Sequence, residues 1–210
     1  MNRLLLIRHA ENKANLTHEF SYRDIDYPLT EKGRLQAKQT AEYLSAEAVT
    51  SVFASPLKRT IETARIIAEP HGLEVQVLEQ FREVNIGSLE GTDDLDEGWK
   101  LHRGITDRWY EGDHDARFPD GEDYRTLFNR MMDGYRHVLV SNGGGTHVIV
   151  AHGGVINLAL PGICPAVTLD WLYQKPIQNC SITEVAFSSG LEGNLVRYAS
   201  YDHLHGEAAD

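Results

Sequence analysis

The chain has 210 residues, 41% of them hydrophobic, and a formal net charge of -11 at pH 7. This length suits one hydrophobic core and therefore a single domain spanning residues 1–210. The acidic charge argues against nucleic acid and against an anionic membrane surface as partners, since both are themselves negatively charged.

Hydropathy and cysteine content point to an ordinary cytoplasmic protein. We find no apolar run near the roughly 20 residues that cross a bilayer, and Met1–Ile7 is too short for the apolar part of a signal peptide. The two cysteines, Cys164 and Cys180, lack the spacing of metal ligands and are predicted to be reduced thiols in the core.

The first predicted element is a buried strand at Leu4–Ile7, an apolar run too short for a helix face. The run stops at Arg8 and His9, so a cation and an imidazole lie where a core strand ends. In open α/β sheets this carboxyl edge is where ligands bind. Taken alone, the pattern is equally consistent with an ordinary strand that becomes polar as it reaches water.

A long loop and a helix follow. Residues Asn12–Leu29 are polar and aromatic without a clear period, which predicts a loop over the mouth of a site. Within it, Asn15 and Arg23 could touch substrate, although a solvated surface is at least as good an interpretation for Arg23. Thr30 is predicted to cap a helix that runs to about Ala46.

A second strand, Val52–Ala54, leads into the next helix. Ser55 is predicted to be the N-cap and Pro56 the first helical residue, which would place Arg59 in the opening turn. Glu74–Leu78 alternates in polarity and predicts a third strand nearer the edge of the sheet.

From Ser88 to Asp120 acidic residues dominate and are interrupted by aromatic ones such as Trp99 and Trp109. A charge run is usually a solvated face, but the aromatic residues need burial, so a helical cap packed on the sheet is predicted. Asp120 is predicted to cap a long helix that ends at Ser141.

The last third repeats the pattern of the first strand. Thr146–Ala151 predicts a buried strand that ends at His152, and Gly153 follows at the start of a helix, where backbone can approach a bound group. Pro161–Pro176 is predicted to form another wall near the site. Residues 181–187 and 195–201 predict a hairpin, and the tail from His203 is predicted to fray.

Three strand-to-helix junctions therefore bring Arg8, His9, Arg59 and His152 to one sheet edge. Each junction is a weak signal, but together they describe a pocket for a dianion.

Five segments resemble, in order, the motifs of the histidine phosphatase superfamily, also called the phosphoglycerate mutase-like family. They are Arg8–Glu11 with Asn15, Ser55–Ala64, Phe81–Gly91, Ala151–Gly154 and Asn179–Ile182. One departure is Ala10, where glycine is commoner, and its methyl group is expected to narrow the approach to a bound phosphate. The resemblance implies a three-layer α/β/α fold with a mostly parallel central sheet and a helical cap insertion at about residues 88–142.

The resemblance also implies residue roles that agree with the chemistry of the side chains. His9 is the expected nucleophile, since imidazole is partly unprotonated near neutral pH. Arg8 and Arg59 would clamp phosphoryl oxygens, and His152, if protonated, would add a further donor. Asn15 and Gly153 are further phosphate-binding candidates.

Glu83 is the expected general acid for the leaving alkoxide. A surface glutamate before a turn is the competing interpretation, and Glu11, Glu90 and Glu122 are the next candidates for the acid. Among the remaining histidines, only His18 in the mouth loop merits attention.

The predicted function is hydrolysis of small phosphorylated metabolites through a phosphohistidine on His9, with no metal and no cofactor. A cofactor-dependent phosphoglycerate mutase is the alternative among enzymes, and a non-catalytic phosphate-binding module is the alternative outside them. The expected partner is a small phosphate ester, and the chain is expected to be a monomer or a homodimer.

Overall fold

The computed structural model describes residues 2–141 and 144–209 and leaves residues 142 and 143 of the predicted insertion outside the description. Its centre is a six-stranded sheet with the strand order β3-β2-β4-β1-β5-β6. The strands are β1 (Asn2–Arg8), β2 (Val49–Ala54), β3 (Val75–Val77), β4 (Gly145–Ala151), β5 (Ile182–Phe187) and β6 (Asn194–Ser200).

The sheet is mostly parallel, as predicted. β1, β2, β3 and β4 run parallel to one another, with β3 at the edge, while β5 and β6 form the predicted antiparallel hairpin. Arg8 pairs with Ala151 at the ends of β1 and β4. Because the two strands end level, His9 and His152 leave the sheet side by side.

Helices cover both faces of the sheet, which confirms the three-layer prediction. α2 and α3 contribute Leu44 and Ile67 to one apolar layer, whereas α5 and α6 contribute Met131 and Val155 to the layer on the opposite face. The helices are α1 (Lys13–Thr17), α2 (Glu31–Leu44), α3 (Lys58–Ala68), α4 (Leu95–Tyr110), α5 (Tyr124–Ser141), α6 (Gly153–Ala159) and α7 (Leu169–Leu172).

The acidic segment buries its aromatic residues through α4. Trp109 is fully buried, and its Nε1 donates to the carbonyl of Ala116 at 2.7 Å. Trp99 donates from Nε1 to the carbonyl of His18 at 2.8 Å, which joins α4 to the mouth loop. α5 instead packs against the sheet through residues such as Tyr135. None of the helices in the described ranges is long and apolar enough to cross a membrane.

Three local predictions about helix starts are wrong. The mouth loop contains α1, which begins with a reciprocal capping box between Asn12 and Asn15. α3 begins at Lys58 after Leu57, which gives no side-chain cap, and Ser55 instead contacts His152. Further along, the cap of α5 is a different aspartate: Asp123 accepts from the backbone N–H of Thr126 at 2.8 Å, while Asp120 occupies a left-handed turn at φ 57°.

The C-terminal tail is packed, so the prediction that it frays is wrong. Leu204 and Ala208 are buried against α2. The side chains of Gln36 and Gln39 each donate to a tail carbonyl at 3.1 Å, those of Ala208 and His205 respectively. The tail carbonyls, which have no strand partner, are thus satisfied by glutamine side chains of α2. No local sequence pattern reveals this pairing.

Candidate active site

A cavity of about 660 Å³ opens at the carboxyl edge of the parallel strands. Six of the predicted site residues line it: Arg8, His9, Asn15, Arg59, Glu83 and Gly153. His152 has no exposed surface and lies behind the cavity, with its ring centroid 5.2 Å from that of His9. The structure therefore gathers all seven predicted residues, although His152 meets the cavity through its neighbours.

His9 has the tautomer that a nitrogen nucleophile needs. Its Nδ1 lies 2.8 Å from the carbonyl oxygen of Ala10; because a carbonyl only accepts, Nδ1 carries the proton. Nε2 is then unprotonated and accepts from Arg59 Nε at 3.1 Å. Burial, reinforced by Arg59 and Arg8, holds the pKa of His9 well below its ordinary value. The ring is therefore neutral at neutral pH, and its Nε2 lone pair becomes available for attack once Arg59 Nε turns from it toward a bound phosphate.

Arg59 stands in the first turn of α3 and is fixed by the mouth loop. Its Nη1 donates to Ser21 Oγ and its Nη2 to the carbonyl of Ser21, both at 2.8 Å. Asp26 Oδ1 lies 3.9 Å from Arg59 Nη1. Burial lowers the pKa of Arg59 to about 10, so the guanidinium stays charged at neutral pH.

Arg8 provides a second buried guanidinium beside His9. Its Nη1 donates to the carbonyl of Ile177 at 2.5 Å, and burial lowers its pKa while the nearby Glu83 opposes that shift. One end of the cavity thus holds two fixed cations around a neutral imidazole, the arrangement that binds a phosphoryl group.

The position of Arg59 also decides the protonation of His152. Arg59 Nη2, which can only donate, lies 3.2 Å from His152 Nδ1, so Nδ1 accepts and Nε2–H faces Ser55 Oγ at 2.7 Å. Burial and Arg59 lower the pKa of His152 well below its ordinary value. For His152 to donate to a phosphoryl group, as the sequence analysis expects of a protonated ring, Arg59 must first turn toward the phosphate.

Glu83 faces the same cavity on a segment between β3 and α4. Its Oε1 accepts from the backbone N–H of Val84 at 3.0 Å. Burial raises the pKa of Glu83, opposed by that hydrogen bond and by Arg59 and Arg8. A Cβ on Gly154 would lie 2.9 Å from Oε1, so glycine at this position leaves room for the carboxyl group. A buried carboxyl with a raised pKa suits a general acid.

The three alternative acids are occupied elsewhere. Glu11 accepts from Thr30 Oγ1 at 2.7 Å. Glu90 accepts from four backbone N–H groups at residues 22–25. Glu122 forms an ion pair with Arg130 at 2.6 Å. Among the four glutamates, Glu83 is therefore the one that lines the cavity.

Two asparagines connect His9 to the mouth of the cavity. Asn179 Nδ2 donates to the carbonyl of His9 at 2.8 Å and to Asn15 Oδ1 at 3.3 Å. Asn15 Oδ1 also accepts from the backbone N–H of Asn12 at 3.1 Å. With its oxygen engaged, Asn15 can offer its amide nitrogen to an anion in the cavity.

Several details of the site were missed or placed wrongly by the sequence reasoning. Ser21, which holds Arg59, was missed because the loop around it has no periodicity. Arg23 does not line the cavity and donates to Tyr22 Oη at 3.0 Å. Ala10 packs in a small core with Ala37, so the expectation that its methyl group narrows the phosphate approach is wrong.

The predicted wall at residues 161–176 reaches the cavity only at its end. Lys175 and the following Ile177 line it, whereas Trp171 and Tyr173 do not. His18, the histidine singled out in the mouth loop, also lines the cavity. Within residues 2–141 and 144–209, no three histidine, cysteine, aspartate or glutamate side chains are arranged to hold a metal ion.

Comparison with known sequences adds independent findings. The family model described as histidine phosphatase superfamily (branch 1) matches residues 4–199. A protein named probable phosphoglycerate mutase GpmB, from Enterobacter sp. (strain 638), is 31% identical over 221 residues, covering 100% of this chain and 98% of that protein. Phosphoserine phosphatase 1 from Hydrogenobacter thermophilus is 34% identical over 152 residues, 72% of this chain and 71% of that protein.

Solved structures agree on the fold. Bacillus stearothermophilus YhfR superposes with a TM-score of 0.83 at 25% identity, covering 97% of this chain and 99% of that chain. A phosphoserine phosphatase from Entamoeba histolytica, solved in complex with 3-phosphoglyceric acid, gives a TM-score of 0.81 at 24% identity, covering 98% of this chain and 100% of that one. The sheet with its helical layers is therefore an architecture that both proteins share.

Proposed function

This chain belongs to the histidine phosphatase superfamily, and on that premise we propose that it hydrolyses phosphate monoesters of small metabolites through a phosphohistidine on His9. The observation that carries the proposal is the neutral Nε2 of His9 between two guanidinium groups, in one cavity with a carboxyl group whose pKa is raised. A nucleophile, two cations and a proton donor in one cavity can break the phosphate ester bond as well as bind the ester.

In the first step, Nε2 of His9 attacks phosphorus while the bond from phosphorus to the ester oxygen breaks. Arg8 and Arg59 stabilise the charge on the phosphoryl oxygens, and Asn15 donates to one of them. Glu83 gives its proton to the departing oxygen, so the alcohol leaves neutral. The products of this step are phosphohistidine, an alcohol and the Glu83 carboxylate.

In the second step, water attacks the phosphohistidine. The Glu83 carboxylate takes a proton from the water, the bond from nitrogen to phosphorus breaks, and its electron pair returns to Nε2. Inorganic phosphate leaves, and both His9 and Glu83 regain their starting protonation. One carboxyl group can serve both steps because leaving alcohol and attacking water occupy the same side of the phosphoryl group.

A phosphoglycerate mutase is the second candidate, supported by the full-length relatives that carry that name. A mutase must retain a three-carbon acid while its phosphohistidine is protected from water. We favour hydrolysis because the two buried guanidinium groups lie at the phosphoryl end and the cavity, at about 660 Å³, leaves room for water. The similarity to phosphoserine phosphatase 1 supports the same choice.

Phosphate release from p-nitrophenyl phosphate tests the proposal directly. We expect turnover that survives excess EDTA, because Arg8 and Arg59 supply the positive charge, and inhibition by vanadate, which adopts the geometry of the transition state. Activity lost on chelation and restored by Mg²⁺ or Zn²⁺ would contradict the metal-free mechanism. A coupled assay that detects 2-phosphoglycerate formed from 3-phosphoglycerate faster than phosphate is released would favour the mutase.

A further inference from the structure

The outer half of the cavity differs in chemistry from the phosphoryl end. Five of the ring-bearing residues that line the cavity form what we call the aromatic wall: Phe20, Tyr22, Trp99, His102 and Tyr110. The ring of His18 lines the cavity as well. Ile86 and Leu158 add apolar surface. Rings and alkyl groups therefore form a large part of the surface available to the alcohol portion of an ester, together with polar side chains such as Thr106, Asn157 and Lys175.

Ring contacts and hydrogen bonds hold the aromatic wall in place before any ligand binds. The ring centroids of Phe20 and Trp99 are 4.3 Å apart, and those of Trp99 and His102 are 5.0 Å apart. Trp99 is also tied to the mouth loop through the carbonyl of His18. A prearranged wall loses little side-chain entropy when a ligand ring packs on it.

The aromatic wall is electrically neutral at physiological pH. Burial lowers the pKa of His102 to about 4 and raises the pKa of Tyr110 to about 12. Neither residue therefore provides a charge for a second anionic group on the substrate.

Two charged side chains, Lys175 and Glu19, also line the cavity, and each contacts a neighbouring residue. Lys175 Nζ lies 4.5 Å from the ring centroid of Trp171, and Glu19 accepts from Thr17 Oγ1 at 2.7 Å. A carboxylate on the alcohol portion would also lie in the same cavity as the side chain of Glu19. The outer half is therefore poorly matched to a phosphorylated acid.

We propose that the aromatic wall selects phosphate monoesters whose alcohol portion is uncharged and carries a ring, and disfavours phosphorylated three-carbon acids. This inference rests on the proposed function and narrows its substrate class. The whole cavity, phosphoryl end included, has a volume of about 660 Å³, which is more than a three-carbon ester requires.

The test compares three primary alkyl esters with similar leaving groups: ethyl phosphate, 2-phenylethyl phosphate and 3-phosphoglycerate. We expect kcat/KM for 2-phenylethyl phosphate to exceed that for ethyl phosphate by about tenfold or more, because the added ring packs on the wall. We expect kcat/KM for 3-phosphoglycerate to be equal to or lower than that for ethyl phosphate. Since all three alkoxides need protonation, the ranking reports on the alcohol portion and not on acid catalysis.

Variants of α4 connect the ranking to the wall. Trp99→Ala should lose most of the advantage of the phenyl ring, Trp99→Phe should keep most of it, and Leu101→Ala, on the exposed side of the same helix, should leave the ranking unchanged. A preference for 3-phosphoglycerate that Lys175→Met removes would overturn the proposal. So would equal kcat/KM for the phenyl and ethyl esters. Failure to hydrolyse any ester, p-nitrophenyl phosphate included, would instead refute the proposed function.

Discussion

The two ends of the cavity are built in different ways. At the phosphoryl end, Arg8, His9 and His152 stand at the ends of paired parallel strands, and Arg59 stands in the first turn of a helix. At the leaving-group end, Glu83 lies on a segment that is neither strand nor helix. Arg8, His9 and His152 are thus positioned by the register of β1 and β4, and a change in one side chain barely disturbs that register.

The position of the backbone at the leaving-group end depends instead on hydrogen bonds with the side chains of Arg130 and Glu122. Arg130 donates to the carbonyls of Gln80, Arg82 and Glu83 at 2.9, 2.8 and 3.2 Å, and its partner Glu122 accepts from the backbone N–H of Asn85 at 2.9 Å. One ion pair therefore fixes the chain on both sides of the acid. The comparison implies that acid catalysis can be weakened separately from phosphoryl binding.

The largest effect should come from the phosphoryl end. His9→Ala removes the nucleophile without altering the register of β1, so we expect turnover to fall by a factor on the order of 10³ or more on every ester. Enzyme quenched in acid after brief exposure to labelled substrate should carry acid-labile, alkali-stable label, and His9→Ala should carry none. Retention of a tenth of the activity would mean that water attacks the ester directly.

A smaller and substrate-dependent effect should come from Glu83→Gln. An alkoxide needs a proton to leave and nitrophenolate hardly does, so we expect a loss of ~10²–10⁴-fold on ethyl phosphate and much less on p-nitrophenyl phosphate. Phosphohistidine should still form from the aryl ester. Arg59→Ala is the matched control, since loss of charge at the phosphoryl end should slow both esters comparably. An equal loss in Glu83→Gln on both esters would show that Glu83 only shapes the pocket.

The pH profile separates the two ends in the wild-type enzyme. Because the pKa of His9 is lowered, the nucleophile stays unprotonated well below pH 6.5, its ordinary pKa, so the acid limb of kcat/KM should lie below that pH. Glu83 must be protonated to act, and its pKa is raised, so kcat/KM for ethyl phosphate should fall as the pH rises through that raised pKa. With p-nitrophenyl phosphate this fall should be weaker. Identical profiles for the two esters would contradict the assignment of Glu83.

The same difference explains what the sequence could and could not predict. Arg8, His9 and His152 follow short apolar runs, and a buried strand that ends in a polar group is visible in the sequence. Ser21 lies in a loop without periodicity, and its contact with Arg59 spans 38 positions. Contacts of this kind depend on how segments meet in space, so they leave no local pattern.

Helix caps show a related limit. Ser55 has the sequence context of an N-cap, but the chain uses its hydroxyl group for His152, which the β2 and β4 strands bring alongside. Asp120 and Asp123 are both acceptable caps by residue type, and the turn that places Asp123 at the start of α5 decides between them. Local preference thus predicted that these helices exist but not where they begin.

The smallest effect should come from Arg130→Lys, which tests whether the ion pair positions Glu83. Lysine keeps a positive charge near the buried Glu122, which avoids leaving that carboxylate unpaired, but a single ammonium group cannot reach three carbonyls and a carboxylate as a guanidinium fork does. We expect a misplaced acid and a loss of about tenfold in kcat/KM on ethyl phosphate, with less than about twofold on p-nitrophenyl phosphate. Tm and the yield of phosphohistidine should stay close to those of the wild type.

The control for Arg130→Lys lies on the same helix. Arg136 is exposed and pairs with Asp133 at 2.6 Å, so Arg136→Lys should leave kcat/KM unchanged for both esters. If Arg130→Lys slows both esters equally and lowers Tm, the ion pair stabilises the fold without directing the acid. Selective loss on the alkyl ester is the outcome that a purely structural role does not produce, because general stability does not distinguish one leaving group from another. That selectivity would establish that a side-chain clamp, and not strand register, fixes the acid at this end of the cavity.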